Sequence, residues 1–289
     1  MNESEYKLKQ AREFENKGQD LHALQIYLAL LNQEDSKRVA TIRLAIIYEK
    51  MDRLDKVSDI LNAFISEQPD DEEVHIFFAH YLIRHEEYEE SLKVLSSVSS
   101  ENNADVFYLA GLSNYKLDEL RTAEINFKSF TQSAPGSELL PEANLYLAKI
   151  YLKKGEYDKA LEYAKKSESF LSQNFNVHLL QAKILYKKEM YFHALESINL
   201  ALNLNETDCS VYKWAGKVFM KLGEYKRAEF YLSEYVTLCD AEAEAFSLLG
   251  IAYKQNKKIK EALSCFKKSL KIDPENEKVK KEIESLKTN

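Results

Sequence analysis

Glycine and proline are scarce in this chain, with 7 glycines and 4 prolines among 289 residues. A sheet protein needs many tight turns, which these two residues supply, so their scarcity argues against a β fold and favours an almost entirely helical one. Long apolar runs are also missing, and the N-terminal segment, MNESEYKLKQ, is polar. We therefore predict no membrane insertion and no secretory signal, and we expect a cytoplasmic location.

Cysteine is the next scarce residue. The three cysteines, Cys209, Cys239 and Cys265, are odd in number and widely spaced, and no two of them form a C-x-x-C pair. This pattern is typical of a reducing environment without a disulfide framework. We therefore expect all three cysteines to act as small buried packing residues.

Positive charge is in deficit overall, because 40 Lys and Arg stand against 47 Asp and Glu. The imbalance is confined to residues 1–140, which carry 15 basic and 26 acidic residues, whereas residues 141–289 carry 25 and 21. An acidic chain lacks the electrostatic term that dominates binding to nucleic acid, so we do not expect a nucleic-acid partner. The two halves are expected to present different surfaces.

The most informative pattern that is present is a period of about 34 residues. Its clearest copy, Ala243 to Pro274, holds two helical patterns joined by a polar turn. Eight copies begin at Ser4, Arg38, Glu72, Ala104, Pro141, Phe175, Cys209 and Ala243. A fixed period of this size indicates one helical hairpin repeated along the chain, so the predicted fold class is all-α.

Small residues recur at fixed positions of these repeats. Position 8 is always alanine or glycine, namely Ala11, Ala45, Ala79, Gly111, Ala148, Ala182, Gly216 and Gly250. Position 20 is small or β-branched in every repeat. Two helices can bring their backbones together only where neither carries a large side chain, so these positions should mark the contact within each hairpin. Gly18, Gly155 and Gly223 fall at position 15, where the first helix should end and turn.

The repeats resemble the tetratricopeptide repeat family, whose pattern has a bulky residue, Leu-Gly, Tyr, Ala, Phe and Pro at fixed positions. The last repeat matches with Phe246, Leu249, Gly250, Tyr253, Ala262, Phe266 and Pro274. The resemblance covers about residues 4 to 274. It implies a right-handed superhelical α-solenoid of about eight helix-turn-helix repeats, occupying residues 1–274. In this family the first helices line a concave groove that generally holds a peptide or a partner helix.

Residues 275–289 are predicted to form a C-terminal capping helix. Their apolar stripe is limited to Val279, Ile283 and Leu286, which suits the half-polar helix that must close the end of a repeat array. Asp273 and Pro274 are the expected helix start, as cap and first-turn residue.

Two irregularities flank the fourth repeat. The third repeat is two residues short, and the fourth has three extra residues in its closing loop, SAPGSELLP. One interpretation is a bend that separates an acidic segment from a basic one. The alternative is that loops tolerate changes of length at little cost.

Lysines recur on the side of the first helices that faces the groove in the resembled family. Position 9 is lysine in three successive repeats, position 13 is lysine in the same repeats, and one further lysine and three aromatic residues lie among them. The predicted ligand groove therefore consists of Lys149, Lys183, Lys217, Lys153, Lys187, Lys221, Lys213, Tyr146, Tyr186 and Trp214. Clustered ammonium groups with exposed rings suit an acidic segment. Lysine is also common at helix ends, where the helix dipole favours it, so position 13 carries less weight than position 9.

Neither a metal site nor a catalytic site is predicted. His75, His80 and His85 are spaced by five residues, which turns neighbours away from one another on a helix. We therefore predict no enzyme and no cofactor, but a scaffold or adaptor that binds an acidic peptide or helix of another protein. The alternative is a structural homo-oligomer that assembles through its own repeats. The capping helix argues against head-to-tail growth and leaves a side-by-side homodimer open.

Overall fold

The computed structural model describes residues 3–99 and 103–287. Every regular element in these ranges is an α-helix. The helices are α1 (Glu3–Asn16), α2 (Asp20–Leu30), α3 (Glu34–Lys50), α4 (Leu54–Glu67), α5 (Glu72–Arg84), α6 (Tyr88–Leu95), α7 (Asp105–Lys116), α8 (Leu120–Ser133), α9 (Leu140–Lys154), α10 (Tyr157–Leu171), α11 (Phe175–Lys187), α12 (Tyr191–Leu204), α13 (Cys209–Leu222), α14 (Tyr225–Leu238), α15 (Ala243–Gln255), α16 (Ile259–Ile272) and α17 (Glu277–Lys287). The predicted all-α fold is confirmed.

The helices pair into eight hairpins that coincide with the eight predicted repeats. The chain divides into two compact units, Met1–Pro135 and Gly136–Asn289. The N-terminal unit holds the hairpins from α1 to α8, and the C-terminal unit holds those from α9 to α16 together with α17. The division falls inside the long loop after the fourth repeat. The third repeat, predicted to be short, has the shortest second helix of the described chain, α6.

The contact within each hairpin forms at positions 8 and 20, as predicted. Every residue at these two positions is buried. At Gly216 an added Cβ would lie 2.5 Å from Cγ of Leu232, and at Gly250 it would lie 2.6 Å from Cε1 of Phe266. Carbon atoms do not approach this closely, so a large residue on the second helix occupies the space that a side chain on the first would need.

The turn between the two helices is left-handed at position 15 in all eight repeats. Gly18, Gly155 and Gly223 have φ of 69°, 76° and 75°. The same conformation occurs at five residues that are not glycine, Asp52, Glu86, Asp118, Glu189 and Lys257. In each repeat the N–H of position 16 donates to the carbonyl of position 11 at 2.8–3.0 Å. This hydrogen bond ends a helix on a left-handed residue and explains why the turn keeps its form without glycine.

The capping helix α17 covers the end of the last repeat. Val279 is buried against Ala262 and Phe266 of α16, and Ile283 and Leu286 pack beside it. The expected start at Asp273 and Pro274 is wrong, because Asp273 instead follows the last residue of α16. Asn276 caps α17, since its Oδ1 accepts a hydrogen bond from the N–H of Val279 at 3.3 Å.

The prediction that all three cysteines are unpaired packing residues is wrong for two of them. Cys209 and Cys239 form a disulfide, with their Cα atoms 6.3 Å apart. They lie at positions 1 and 31 of the seventh repeat, at the open end of its hairpin, so the fold brings them together although 30 residues separate them. Cys265 is buried, as predicted, and burial raises the pKa of its thiol.

Candidate functional site

The predicted groove residues of the C-terminal unit converge on Trp214 of α13. The Nζ atoms of Lys183 and Lys217 lie 5.7 Å and 5.0 Å from its ring centre, within the range of cation–π contact. Tyr186 packs against it edge-on, with ring centres 5.5 Å apart. We call Lys183, Tyr186, Lys213, Trp214 and Lys217 the lysine–tryptophan cluster.

The repeat register is what assembles this cluster. Lys183 and Lys217 both occupy position 9, on α11 and α13, which are neighbouring first helices in contact. Trp214 lies three residues before Lys217 on α13, one turn away on the same face. A period of 34 residues therefore brings two ammonium groups within about 6 Å of the centre of one indole ring.

Lys183 is the half-buried cation of the cluster. Removal from water lowers the pKa of its ammonium group, Asp208 opposes this effect, and the charges of Lys213 and Lys149 add to it. Within residues 3–99 and 103–287, no carboxylate lies within ion-pair distance of Lys183. A partly desolvated ammonium group without a carboxylate partner is a site that a ligand carboxylate can complete.

Lys213 and Lys217, by contrast, already have carboxylate partners. Lys213 forms an ion pair with Glu242, and Nζ of Lys217 lies 2.7 Å from Oε2 of Glu244. Both glutamates belong to the start of α15, where Glu242 is the residue before the helix and Glu244 lies in its first turn. Negative charge is favourable at a helix N-terminus, so α15 holds these carboxylates in place.

Glu242 is further fixed by Tyr235 of α14, whose hydroxyl donates to Oε2 at 2.5 Å. Burial acts to raise the pKa of Glu242, but hydrogen bonds from Lys213, Tyr235 and its own backbone outweigh burial and lower this pKa to about 2. Burial and the same carboxylate raise the pKa of Tyr235 to about 12. Glu242 is therefore ionised at neutral pH, and its carboxylate occupies Lys213 of the cluster in the absence of a ligand.

The preceding repeat extends the row of lysines. Lys149 and Tyr146 lie on α9, with Nζ of Lys149 4.5 Å from the ring centre of Tyr146. Both side chains are half-buried. Lys149 occupies position 9, like Lys183 and Lys217, and its charge influences Lys183. The position-9 lysines thus recur over three repeats, with Lys149 acting on Lys183 through its charge and with Lys183 and Lys217 both near Trp214.

The position-13 lysines stand apart from this row in their exposure. Lys153, Lys187 and Lys221 are exposed in the last turns of α9, α11 and α13. For Lys187 and Lys221, no carboxylate of the described residues lies within ion-pair distance. Their placement at helix C-termini agrees with the dipole explanation, so they widen the basic surface without entering the cluster.

Sequence reasoning missed Glu242, Glu244 and Tyr235, which complete the surroundings of the cluster. Glu242 lies in the joint between two repeats and outside any recurring position. A signal existed in the two acidic residues at the start of α15, because acidic residues are favoured at a helix N-terminus and this one lies near the side chains of the preceding first helix.

The three histidines for which no metal site was predicted lie on α5, His75 and His80, and at its C-terminal end, His85. Nδ1 of His75 lies 2.8 Å from the carbonyl oxygen of Asp71, and Nε2 of His85 lies 3.1 Å from Oε1 of Glu49. These contacts hold the two rings in separate local interactions. Over the described ranges, no group of three or more His, Cys, Asp or Glu side chains could hold a metal ion.

Comparisons with known proteins identify the repeats. Family models described as tetratricopeptide repeat match residues 141–169 and 243–276. The crystal structure of a tetratricopeptide repeat protein from Parabacteroides merdae superposes with a TM-score of 0.60 at 17% identity, covering 86% of this chain and 98% of that one. Residues 141–169 and 243–276 are tetratricopeptide repeats, and the described chain has the fold of tetratricopeptide repeat proteins.

Two further comparisons match this chain to parts of larger proteins. A chain of the APC/C hetero-tetramer Cut9–Hcn1 matches with a TM-score of 0.64 at 16% identity, covering 92% of this chain and 52% of that one. The BBSome complex member BBS4 of Bos taurus is 27% identical over 133 residues, or 45% of this chain. The match spans only a quarter of that protein's length. At these identities the structural matches show the fold alone.

The tetratricopeptide repeat fold supports a general role in binding other proteins. Within residues 3–99 and 103–287, no helix combines the length and the apolar character needed to cross a bilayer.

Proposed function

We propose that this chain is a non-catalytic scaffold whose C-terminal unit binds an acidic segment of another protein at the lysine–tryptophan cluster. The observation that supports this most directly is Lys183, a half-buried cation over Trp214 without a carboxylate partner among the described residues. A ligand carboxylate would form a charge-assisted hydrogen bond there and restore the solvation that burial removed.

The aromatic rings supply the rest of the binding energy in this proposal. Tyr186, Trp214 and Tyr146 are half-buried. Trp214 and Tyr146 offer ring surface beside ammonium groups, and Tyr186 packs edge-on against Trp214. Rings of this kind contribute apolar contact to a peptide backbone or side chain while losing little conformational entropy. The cluster therefore combines charge recognition with the apolar contact that charge pairs in water lack.

The test uses a fluorescein-labelled peptide of aspartate and serine, followed by anisotropy against the full-length protein. Replacing Lys149, Lys183 and Lys217 by glutamate should abolish binding, and added salt should weaken binding to the unmodified protein. The matched control replaces Lys165, Lys260 and Lys267, which are exposed on the second helices of their repeats. This variant makes the same change in net charge and should keep its affinity.

Lys217 has a structural partner in Glu244, so loss of binding in the triple variant needs a folding check. The single variant Lys183→Glu avoids this difficulty, since it removes no ion pair to a described carboxylate. If the K183E protein melts normally and binds the peptide as well as the unmodified protein does, the proposed groove is wrong.

A second candidate function is self-association through the second helices of the C-terminal unit. Phe170, Phe192 and Phe230 are 69%, 71% and 57% exposed on α10, α12 and α14. Large exposed rings of this kind often mark protein interfaces. Sedimentation equilibrium over a concentration series should then give a mass above one chain, and the double variant F192E/F230E should sediment as a monomer. A monomeric mass for the unmodified protein at all concentrations would exclude this candidate.

A further inference from the structure

The row of position-9 residues changes chemistry at its last member. Position 9 is lysine in the fifth, sixth and seventh repeats, and it is Ile251 in the eighth. The side chain of Ile251 is only partly buried, with one side packed on the core around Phe266. The row that begins as a series of cations therefore ends on an apolar residue that faces the same side of the stack.

A cavity opens beside Ile251, between α15 and α17. Its volume is about 640 Å³. Leu248 and Ile251 of α15 provide apolar lining, and Lys278 and Lys281 of α17 stand on the opposite wall. Glu244 lines the near end, so the cavity begins where the lysine–tryptophan cluster ends.

The charges around this cavity favour an acidic ligand. Three carboxylates line it: Glu244 is paired with Lys217, Glu282 is paired with Lys254, and Asp273 accepts a hydrogen bond from Nδ2 of Asn276 at 3.3 Å. Lys278 and Lys281 are exposed, and no carboxylate of the described residues lies within ion-pair distance of either one. Positive charge is thus available at the cavity rim, as it is at Lys183.

We infer that this cavity receives an apolar side chain of the same acidic segment that binds at Lys183. The ligand is then a bipartite peptide, with acidic residues over the lysine row and one aliphatic or aromatic residue seated on Leu248 and Ile251. This inference rests on the proposed function, and it adds what distinguishes the ligand from other acidic chains. The carboxylates of the peptide pair with the lysine row, and its apolar residue fixes the position of the peptide along the groove.

The repeat geometry sets the spacing within such a peptide. First helices of successive repeats are in contact, and contacting helices lie about 8–10 Å apart. An extended peptide advances about 3.3 Å per residue, so each repeat corresponds to about three residues. The apolar residue should therefore lie about three residues from the carboxylate nearest Lys217 and about six from the one at Lys183.

The experiment compares three labelled peptides by anisotropy. The anchored peptide carries two aspartates about three residues apart and a leucine about three residues further on, in a serine background. The second peptide has serine in place of leucine, and the third has the leucine before the aspartates. One of the two leucine peptides, depending on the direction in which the ligand lies in the groove, should bind about tenfold or more tightly than the serine peptide. The gain arises because the leucine side chain leaves water.

The variant Ile251→Lys makes the test reciprocal. It extends the lysine row by one repeat, and its aliphatic stem can lie where Ile251 packed, so the fold should be kept. The preference for leucine should fall to less than about threefold, and a peptide with a third aspartate in place of leucine should bind more tightly than before. Leu248→Gln should reduce the leucine preference without the gain for aspartate.

The outcomes separate the two proposals. Equal binding of the leucine and serine peptides to the unmodified protein, with both abolished by Lys183→Glu, would overturn the apolar subsite and leave the acidic groove intact. Binding that depends on Ile251 but is unchanged in K183E would overturn the acidic groove. The absence of binding by every peptide would overturn both.

Discussion

Lys183 and Trp214 lie on neighbouring first helices with the ammonium nitrogen 5.7 Å from the centre of the indole ring. Trp214 is also the only tryptophan of the chain. Tryptophan emission, excited selectively over that of the 18 tyrosines, therefore reports on this cluster alone. Pairing of Lys183 with a ligand carboxylate changes the electric field at the ring, so binding should be visible without a label.

We expect an aspartate-rich peptide to shift or quench the Trp214 emission in a saturable manner. Lys183→Glu should remove this response, because the ligand carboxylate loses its partner and meets a like charge. Lys165→Glu, on a second helix, should leave the response unchanged. Emission that stays constant while the labelled peptide binds would place the binding surface elsewhere.

The carboxylates of Glu242 and Glu244 should compete with an acidic ligand, because they already occupy Lys213 and Lys217. The double variant E242Q/E244Q frees both ammonium groups. Its affinity for the peptide should rise by about threefold to tenfold, which corresponds to about 0.7–1.4 kcal/mol for two partly exposed ion pairs. Titration of the peptide by anisotropy measures the change.

The control for this prediction is Glu229→Gln. Glu229 of α14 pairs at 2.5 Å with Lys258, the residue before α16, and neither belongs to the cluster. This variant removes one ion pair without freeing a groove lysine, so peptide affinity should not change. A similar gain in E229Q would mean that overall charge, and not the occupied lysines, controls binding.

The stability of the C-terminal unit should depend on the ionisation of Glu242. Its pKa is about 2 in the folded chain against an ordinary value of 4.5, so its ionised form is stabilised by folding. That stabilisation is complete above pH 4.5 and is lost as the pH falls towards 2. Because the side chain is partly exposed, we expect about 1 kcal/mol after allowance for solvent screening.

Urea unfolding of the unmodified protein and of Glu242→Gln between pH 2 and pH 6 measures this contribution, since the range runs from the folded pKa of about 2 to above the ordinary value of 4.5. The difference in unfolding free energy should be largest near pH 6 and should be mostly lost near pH 2. A difference that stays constant with pH would show that Glu242 acts through packing or hydrogen bonding alone.

The disulfide between Cys209 and Cys239 should stabilise the seventh repeat. It closes a loop of 30 residues, for which loss of chain entropy in the unfolded state gives about 3–4 kcal/mol. Thermal unfolding under a phosphine reductant should therefore occur at a lower temperature. The variant C209S/C239S should melt at that lower temperature with or without reductant, and a reductant effect that persists in this variant would contradict the prediction.

The left-handed turns offer a matched pair of substitutions. Glu189 has a φ of 62° at position 15, a conformation that is unfavourable for a residue with a Cβ. Glu189→Gly should raise the unfolding free energy by about 0.5–1 kcal/mol, after the entropy that glycine adds to the unfolded chain. Gly155→Ala should lower it by about 1 kcal/mol, because a Cβ there has space but the wrong backbone conformation. Equal stability of both variants with the unmodified protein would contradict this reading.

The helical hairpins of this chain were predictable because the same sequence pattern recurs in every repeat. A small residue at position 8 and a turn at position 15 occur eight times, so each copy supports the others. Even so, Glu189 and Lys257 take the left-handed conformation without a glycine to announce it. At these two positions the turn is fixed by the hydrogen bond from position 16 to position 11, and the residue at position 15 adopts the left-handed conformation without being glycine.

The candidate site was predictable only in part, because side-chain partners across repeats leave no periodic signal. Lys183 and Lys217 of the position-9 row lie beside Trp214, a contact that their register alone did not specify. Glu242 was missed because it belongs to the joint between repeats. The pairing of Cys209 with Cys239 was missed because the two cysteines are far apart along the chain. The hairpin nevertheless brings positions 1 and 31 of a repeat together.

The same disulfide has a consequence for how the chain bears load. A pulling force applied at the two termini passes directly from Cys209 to Cys239 through the sulfur atoms. The segment between the two cysteines, with most of α13 and all of α14, cannot be extended, which shortens the fully stretched chain by about 100 Å. Under tension, the repeat that carries Trp214, Lys213 and Lys217 would therefore keep its two helices tethered after its neighbours had been pulled straight.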